Sequence, residues 1–149
     1  MQAGSAGYSY RAIAKLCYDG GMLPIKTKDK RQVIDITSEV EALTKGMTGC
    51  VQVFVQHTTA AITTADLDPG TDLDLLDALG GMLPQLKWRH PHDPEHAPDH
   101  LLASIIGPGV TVPVQNGLLQ LGAWQRIILI EFDGPRARDI ALTYLPGTH

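Results

Sequence analysis

The sequence predicts an α+β fold: a compact single domain with a sandwich-like, mostly antiparallel sheet and two or three helices. Three observations carry that expectation. Strand patterns dominate, above all at Val51–Val55 and Arg126–Phe132. Asn116-Gly117 is a two-residue hairpin signal, which makes its flanking strands antiparallel. The helical patterns fall between strands irregularly rather than in a regular βαβ alternation.

Residues 1–10 read as a flexible N-terminal tail of small and polar side chains, and 11–149 as the single domain. Arg11–Tyr18 fits a strand or a short helix, and Gly20-Gly21 a turn. Lys26–Arg31, KTKDKR, reads as a solvated loop before a strand. Arg31–Ile36 alternates as that strand and leads into a helix, where Ser38 and Glu41 fit a capping box and Val40 and Leu43 an apolar face. Gly46–Gly49 ends the helix. Val51, Val53 and Val55 then share one strand face, with Gln52 and Phe54 on the other. Thr58–Thr64 either prolongs this strand or turns tightly. Asp68-Pro69-Gly70 is a turn and helix entry. Leu73, Leu76, Leu79 and Leu83 predict an amphipathic helix over 71–82, closed by Gly80, Gly81 and Pro84. A histidine loop follows at 86–97. Pro98 opens a second helix over 98–106, with Leu101, Leu102, Ile105 and Ile106 apolar. Val110–Val114, Leu118–Leu121, a central Arg126–Phe132 and Ala137–Leu145 complete the strands.

At 149 residues with 44% hydrophobic and 19% charged side chains, the chain can bury a full core. A formal charge of −4 and a pI near 5.8 argue against a nucleic-acid binder, which would carry a basic stripe. Cys17 and Cys50 have no metal-ribbon or redox-motif spacing and read as two reduced, packed thiols. No apolar run approaches the roughly 20 residues that cross a bilayer, and no secretion signal is visible. The expected location is the cytoplasm, with no membrane partner.

Three stretches carry polar chemistry. His57 arrives directly after a strand and before Thr58 and Thr59, whose hydroxyls can donate to an anion. A histidine there can be a ligand, a base or a capped core residue. The loop from His90 to His100 holds four of the six histidines, at 90, 92, 96 and 100. Neutral imidazole is a common zinc ligand, and Asp99 could orient one from behind. The alternative is a polar surface loop. Glu131 and Asp133, two apart at a strand end, should share a face and could act in proton transfer. Arg136 beyond them could hold a carboxylate or phosphate in a bidentate fork, or simply tie the turn through an ion pair. Trp124 reads as core, and Gln125 could face the same pocket as Glu131.

The order HTTAAIT at 57–63, W-R-H at 88–90, D-H-L at 99–101, VPV at 112–114, LGAWQ at 121–125 and EFDGPR at 131–136 resembles the small YjbQ-type family, also labelled secondary thiamine-phosphate synthase. The resemblance spans roughly residues 33–145. It implies a compact α+β fold assembled as a homotrimer. It also implies a weak thiamine-phosphate synthase activity, which joins a pyrimidine diphosphate to a thiazole phosphate, and a pocket gathering His57, His90 and His100. The run from Glu95 to His100 departs from the family pattern, which has a glycine and an asparagine there.

Two functions are therefore expected in competition. The first is a transferase acting on phosphorylated precursors. In it His57, His90 and His100 hold a divalent metal such as zinc, Asp99 supports them, Thr58, Thr59, Gln125 and Arg136 bind the substrate anion, and Glu131 and Asp133 move protons. The second is a non-enzymatic trimer that binds a metal or a small anion.

Overall fold

Isoleucine or leucine at every position from 127 to 130 gives a strand with no wettable face, and the fold covers both. In the computed structural model, which describes residues 21–147, this strand is β7, Arg126–Glu131. It lies between β2 (Gln32–Asp35) and β4 (Ala60–Ala65) in a three-stranded antiparallel sheet. A five-stranded sheet of order β1-β8-β3-β5-β6 packs on one side of it. Its strands are β1 (Met22–Lys26), β3 (Gly49–Val55), β5 (Gly109–Gln115), β6 (Leu118–Leu119) and β8 (Ala137–Pro146). Helices α2 (Thr71–Met82) and α3 (Ala97–Ile106) cover the other side. A short α1, Thr37–Ala42, caps the inter-sheet core.

The alternation along β7 sorts its side chains between two cores. Ile127 and Leu129 meet Val51, Val53, Val55, Ile140 and Leu142 between the sheets. Ile128, Ile130 and Phe132 meet Leu79, Leu102 and Ala103 under the helices. Each such side chain, fully buried, contributes roughly 1.5–3 kcal/mol. Glu131 continues the Ile127–Leu129 face, so its carboxylate is driven into the layer between the sheets. It is wholly buried there.

Arg138 meets it from β8. That strand buries residues 138, 140 and 142 on one face, and Arg138 is the charged member of the row. Its Nε lies 2.7 Å from Glu131 Oε2 and its Nη2 2.5 Å from Oε1. Thr27 Oγ1 donates to Oε2 at 3.0 Å and the Asp133 N–H to Oε1 at 2.9 Å. The carboxylate thus accepts four hydrogen bonds, and the fork joins the two sheets.

Several sequence expectations are corrected. Residues 22–26 form an edge strand, so KTKDKR begins inside the sheet rather than lying wholly in a loop. The capping box does not form: Asp35 accepts from the Thr37 N–H at 2.9 Å, and Glu41 instead accepts from the Leu119 N–H at 3.1 Å, tying α1 to β6. Residues 60–65 are a separate strand in the other sheet, not a prolongation of β3. Helix α2 runs through Gly80 and Gly81 and stops at extended Leu83 before Pro84. Leu43, Leu73, Leu101, Ile105 and Trp124 are exposed rather than packed in the core. The hairpin stands, with Asn116 at φ 52° and Gly117 at φ 81° as its turn chemistry requires. Residues 1–10, the segment 11–18 and Cys17 lie outside the described residues.

Removing one partner of the sheet-joining pair strands a buried charge. Arg138→Ala should therefore lower the unfolding free energy in urea by about 3–5 kcal/mol. Glu131→Leu combined with Arg138→Met should recover most of that loss, because no charge is left unpaired. A loss below about 1 kcal/mol for Arg138→Ala would place the pair outside the stability account.

Candidate functional site

Two of the chain's crossings between the sheets frame one end of the sandwich. Between β3 and β4 the chain crosses through His57, Thr58 and Thr59. Between β7 and β8 it crosses through Phe132 to Arg136. The crossings are laced together: the Phe132 N–H donates to Thr59 O at 3.1 Å and the Gln56 N–H to Asp139 O at 3.1 Å. The two most specific sequence motifs, HTTAA and EFDGPR, are these crossings. Gly134 makes the second one possible, since a Cβ there would lie 2.1 Å from Asp29 O.

An open polar cavity of about 700 Å³ lies over the crossings. His57, Thr58 and Thr59 form one wall, and Asp133, Pro135, Arg136 and Arg138 another. His96 and His100 close it from α3 and the turn before it. Pro94–His96 is a 3-10 turn that runs directly into α3, so Pro98 falls in the first helical turn. His96 and His100 thereby share a helical face. His96 was not among the expected site residues, and this i, i+4 spacing is the signal from which it could have been found.

Hydrogen bonds fix what each imidazole offers. His57 Nε2 lies 3.0 Å from the Asp139 N–H, which can only donate, so Nε2 holds a lone pair and Nδ1 the proton. His100 Nδ1 lies 3.1 Å from the Thr58 carbonyl, which can only accept, so Nδ1 holds the proton and the Nε2 lone pair is left over. His90 Nδ1 accepts from the Asp93 N–H at 3.3 Å. Its ring stacks on His100, with centroids 5.1 Å apart, but it does not line the cavity.

Asp133 and Arg136 tie the second crossing. Arg136 Nη2 lies 2.5 Å from Asp133 Oδ2, and its Nε donates to Asp133 O at 2.7 Å. His96 Nε2 stands 3.7 Å from Asp133 Oδ1 and 3.4 Å from Asp93 Oδ2. Burial pushes the Asp133 carboxyl up, but the hydrogen bond and charge of Arg136, with His96 and Lys30, outweigh it and hold the group below the ordinary carboxylate range. Arg136 nonetheless stays half exposed, and its Nη1 has no partner among the described residues. Thr59 Oγ1 accepts from Arg138 Nη2 at 2.8 Å.

The expected site residues are thus only partly gathered. His57, Thr58, Thr59, His100, Asp133 and Arg136 share the cavity. Glu131 lies sealed beneath it, with no exposed surface and all its acceptor positions filled from the protein. Gln125 precedes β7, at the end of that strand opposite Glu131, where it accepts from the Gly122 N–H at 2.8 Å. Asp99 does not orient a histidine: next to His100 on a helix, it projects about 100° away. It pairs with Arg31 at 3.2 Å in a different cavity, and its Oδ2 is buried without a partner among the described residues.

These bonds also decide how a metal would fit. Among the described residues no three His, Cys, Asp or Glu side chains converge on a metal position. His57 and His90 commit their lone pairs to backbone N–H groups, which leaves His100 alone of the expected three with one to offer. The expected three-histidine set does not fit a metal in this arrangement.

Comparison with known proteins agrees with the fold. A family model described as UPF0047 protein YjbQ-like matches residues 22–147. A UPF0047 protein of Archaeoglobus fulgidus is 38% identical over 124 residues, covering 83% of this chain and 98% of its own length. UPF0047 protein YugU of Bacillus subtilis is 40% identical over 123 residues, 78% of this chain and 91% of its own. A crystal structure of hypothetical protein APE1520 from Aeropyrum pernix superposes with a TM-score of 0.79 at 36% identity, covering 87% of this chain and 99% of that one.

Asp99 gives the site region a pH signature. Burial raises its carboxyl above the ordinary value of 3.8, with Arg31 opposing. A group whose folded pKa is raised holds its proton more tightly when folded, so stability falls as pH climbs from the unfolded value through the folded one. Urea unfolding of wild type and Asp99→Asn from pH 3.5 upward should show the wild type losing ground to the variant as Asp99 ionises. A difference independent of pH would mean that the Asp99 charge carries no burial penalty.

Proposed function

The chain belongs to the YjbQ-like UPF0047 family, and from that premise we propose that its cavity binds a small phosphorylated molecule, in a cytoplasmic homotrimer. One observation carries the reading: hydrogen-bond donors converge on the cavity from both crossings. The lining residues that bring them are Arg136, whose Nη1 has no partner among the described residues, His57, with its proton on Nδ1, Thr58 and Thr59. Thr59 already accepts from Arg138, so its own proton is available to an anion. A planar, always-charged guanidinium beside neutral donors suits a phosphate.

A transferase of the thiamine-phosphate synthase type is the second reading. A cavity of about 700 Å³ exceeds what one phosphate needs, and the Nε2 lone pair of His100 is placed to take a proton. Asp133, on the wall that carries Arg136, is a second acceptor. Charge balance ranks this reading second. A diphosphate and a phosphate bring several negative charges, whereas Arg136 and Arg138 are already paired with Asp133 and Glu131.

The trimer rests on exposed apolar surface. Leu118, 59% exposed, sits on β6 at the edge of the five-stranded sheet, and Trp124, 72% exposed, in the loop that follows. A neighbouring subunit seated there would withdraw both side chains from water. Among the described residues no helix is long and apolar enough to cross a membrane.

Calorimetric titration with inorganic phosphate tests the first reading. Arg136→Ala should weaken binding by about 1.5–3 kcal/mol, the scale of a charge-assisted hydrogen bond. An unchanged affinity with a large fall in melting temperature would assign Arg136 to tying the turn. Formation of thiamine phosphate from the two precursors, lost in His100→Ala, would promote the second reading. Light scattering should give three times the 16.1 kDa chain mass; a monomer at micromolar concentration would contradict the trimer.

A further inference from the structure

We infer a second binding site, for a free α-amino acid with an apolar side chain, in the cavity that α2 and α3 form with the segment before β2. This cavity, of about 290 Å³, is bordered by Arg31, Gly80, Leu83, Trp88, Asp99 and Leu102 among others. It shares no lining residue with the cavity over the crossings and lies against another face of α3. One observation there points to a ligand. Asp99 is 2% exposed, and its Oδ2 is the one buried side-chain oxygen or nitrogen without a partner among the described residues. A carboxylate oxygen in that position is costly unless a donor meets it.

The sequence sets two opposite charges side by side at this wall. Arg31 ends the KTKDKR run, and Asp99 sits in the first turn of α3. Arg31 Nη2 lies 3.2 Å from Asp99 Oδ1, a single contact where a guanidinium and a carboxylate can make a two-pronged fork. The Nε and Nη1 donors of Arg31 have no partner among the described residues. Gly80 on α2 keeps the cation uncovered, since a Cβ there would lie 3.2 Å from Arg31 Nη1. Lys30 and Glu95, both exposed, add one charge of each sign, so the lining as a whole is neutral.

Adjacent opposite charges on a protein match adjacent opposite charges on a ligand. An α-amino acid carries its ammonium and its carboxylate on one carbon. Its ammonium donates to Asp99 Oδ2 and its carboxylate accepts from Arg31, so four charges alternate around a closed ring. Asp99 Oδ2 is closed to water, so the guanidinium shifts toward the ligand carboxylate as the ammonium takes its place beside the oxygen. A lone amine would leave the Arg31 charge unanswered, and a lone acid the Asp99 oxygen. Leu83, Pro84, Trp88 and Leu102 supply the apolar part of the wall, which selects an apolar side chain. The volume lies at the low end for small-molecule sites, enough for one amino acid and too little for a peptide.

Isothermal titration with L-leucine, 3-methylbutylamine and 4-methylpentanoate tests this, because the last two each lack one of the charges of leucine. Wild type should bind L-leucine with a Kd of about 1 mM or tighter, and each analogue at least roughly tenfold more weakly. Asp99→Asn removes the charge that the ammonium meets and should weaken leucine binding roughly tenfold or more. Gly80→Leu fills the cavity from α2, so it should abolish leucine binding while leaving phosphate affinity unchanged; circular dichroism checks the fold of both variants. A wild type that binds no leucine at millimolar concentration overturns the inference and leaves Asp99 Oδ2 to a buried water. An analogue that binds as tightly as leucine overturns it too, as does leucine affinity that either variant leaves unchanged. Phosphate titration reads the other cavity, so the two readings stand or fall separately.

Discussion

The pair of Glu131 and Arg138 is the interaction on which the rest of the molecule depends. Glu131 belongs to the three-stranded sheet and Arg138 to the five-stranded one, so their fork fixes how the sheets sit at the end where the chain changes layers. The same carboxylate accepts from Thr27, after β1, and from the Asp133 N–H. Thr27 Oγ1 in turn accepts from the Arg136 N–H at 2.8 Å. Thr59, before β4, accepts from Arg138. Three segments distant in sequence, at Thr27, at Thr59 and over 131–138, are thereby set around one buried charge. A buried ion pair is seldom a strong source of net stability, and its value here is positional. It sets Thr59, Asp133 and Arg136, which form much of the cavity wall.

The histidines above that floor are prepared in different senses. One backbone N–H makes His57 a donor through Nδ1, and one backbone carbonyl makes His100 an acceptor through Nε2. Both rings carry the proton on Nδ1, but His57 has that N–H free and His100 the Nε2 lone pair, a combination that suits a ligand which both receives and supplies hydrogen bonds. The candidate site of this fold therefore lies where two crossings meet, and the strands bring them together.

Much of the fold was legible because burial leaves a periodic trace. The apolar run at 127–130 announced a central strand, the alternating valines of β3 a half-buried one, and Asn116-Gly117 their antiparallel neighbours. Strand β1 was not legible: at the sheet edge it buries little, and Pro24 interrupts the usual residue types. The capping box failed because Glu41 found a tertiary donor in Leu119, which local spacing cannot foresee. The helical positions of Leu101 and Ile105 gave no sign of facing outward, since residue type alone does not say which side of a helix has a neighbour.

The site was legible in its motifs and less so in its roles. HTTAA and EFDGPR marked the right two segments. Glu131 and Asp133, read as equivalent carboxylates, differ because only Glu131 has Arg138 opposite it. Arg138 itself carried a readable signal, a charge in register with Ile140 and Leu142 on a buried face, and that signal asked for a partner. His96 takes the place expected of His90 because the 3-10 turn Pro94–His96 runs straight into α3 and carries the helical path back before Pro98.

Long-range proton–nitrogen NMR of the histidine side chains, followed through a phosphate titration, tests the central claim most directly. The account predicts that His57 carries its proton on Nδ1 and His100 on Nδ1 in the free protein. It predicts further that phosphate moves the His57 Nδ1 and His100 Nε2 signals together while His92 stays still. A His57 protonated at Nε2 before any ligand is added, or a titration that leaves both rings unmoved, would contradict it.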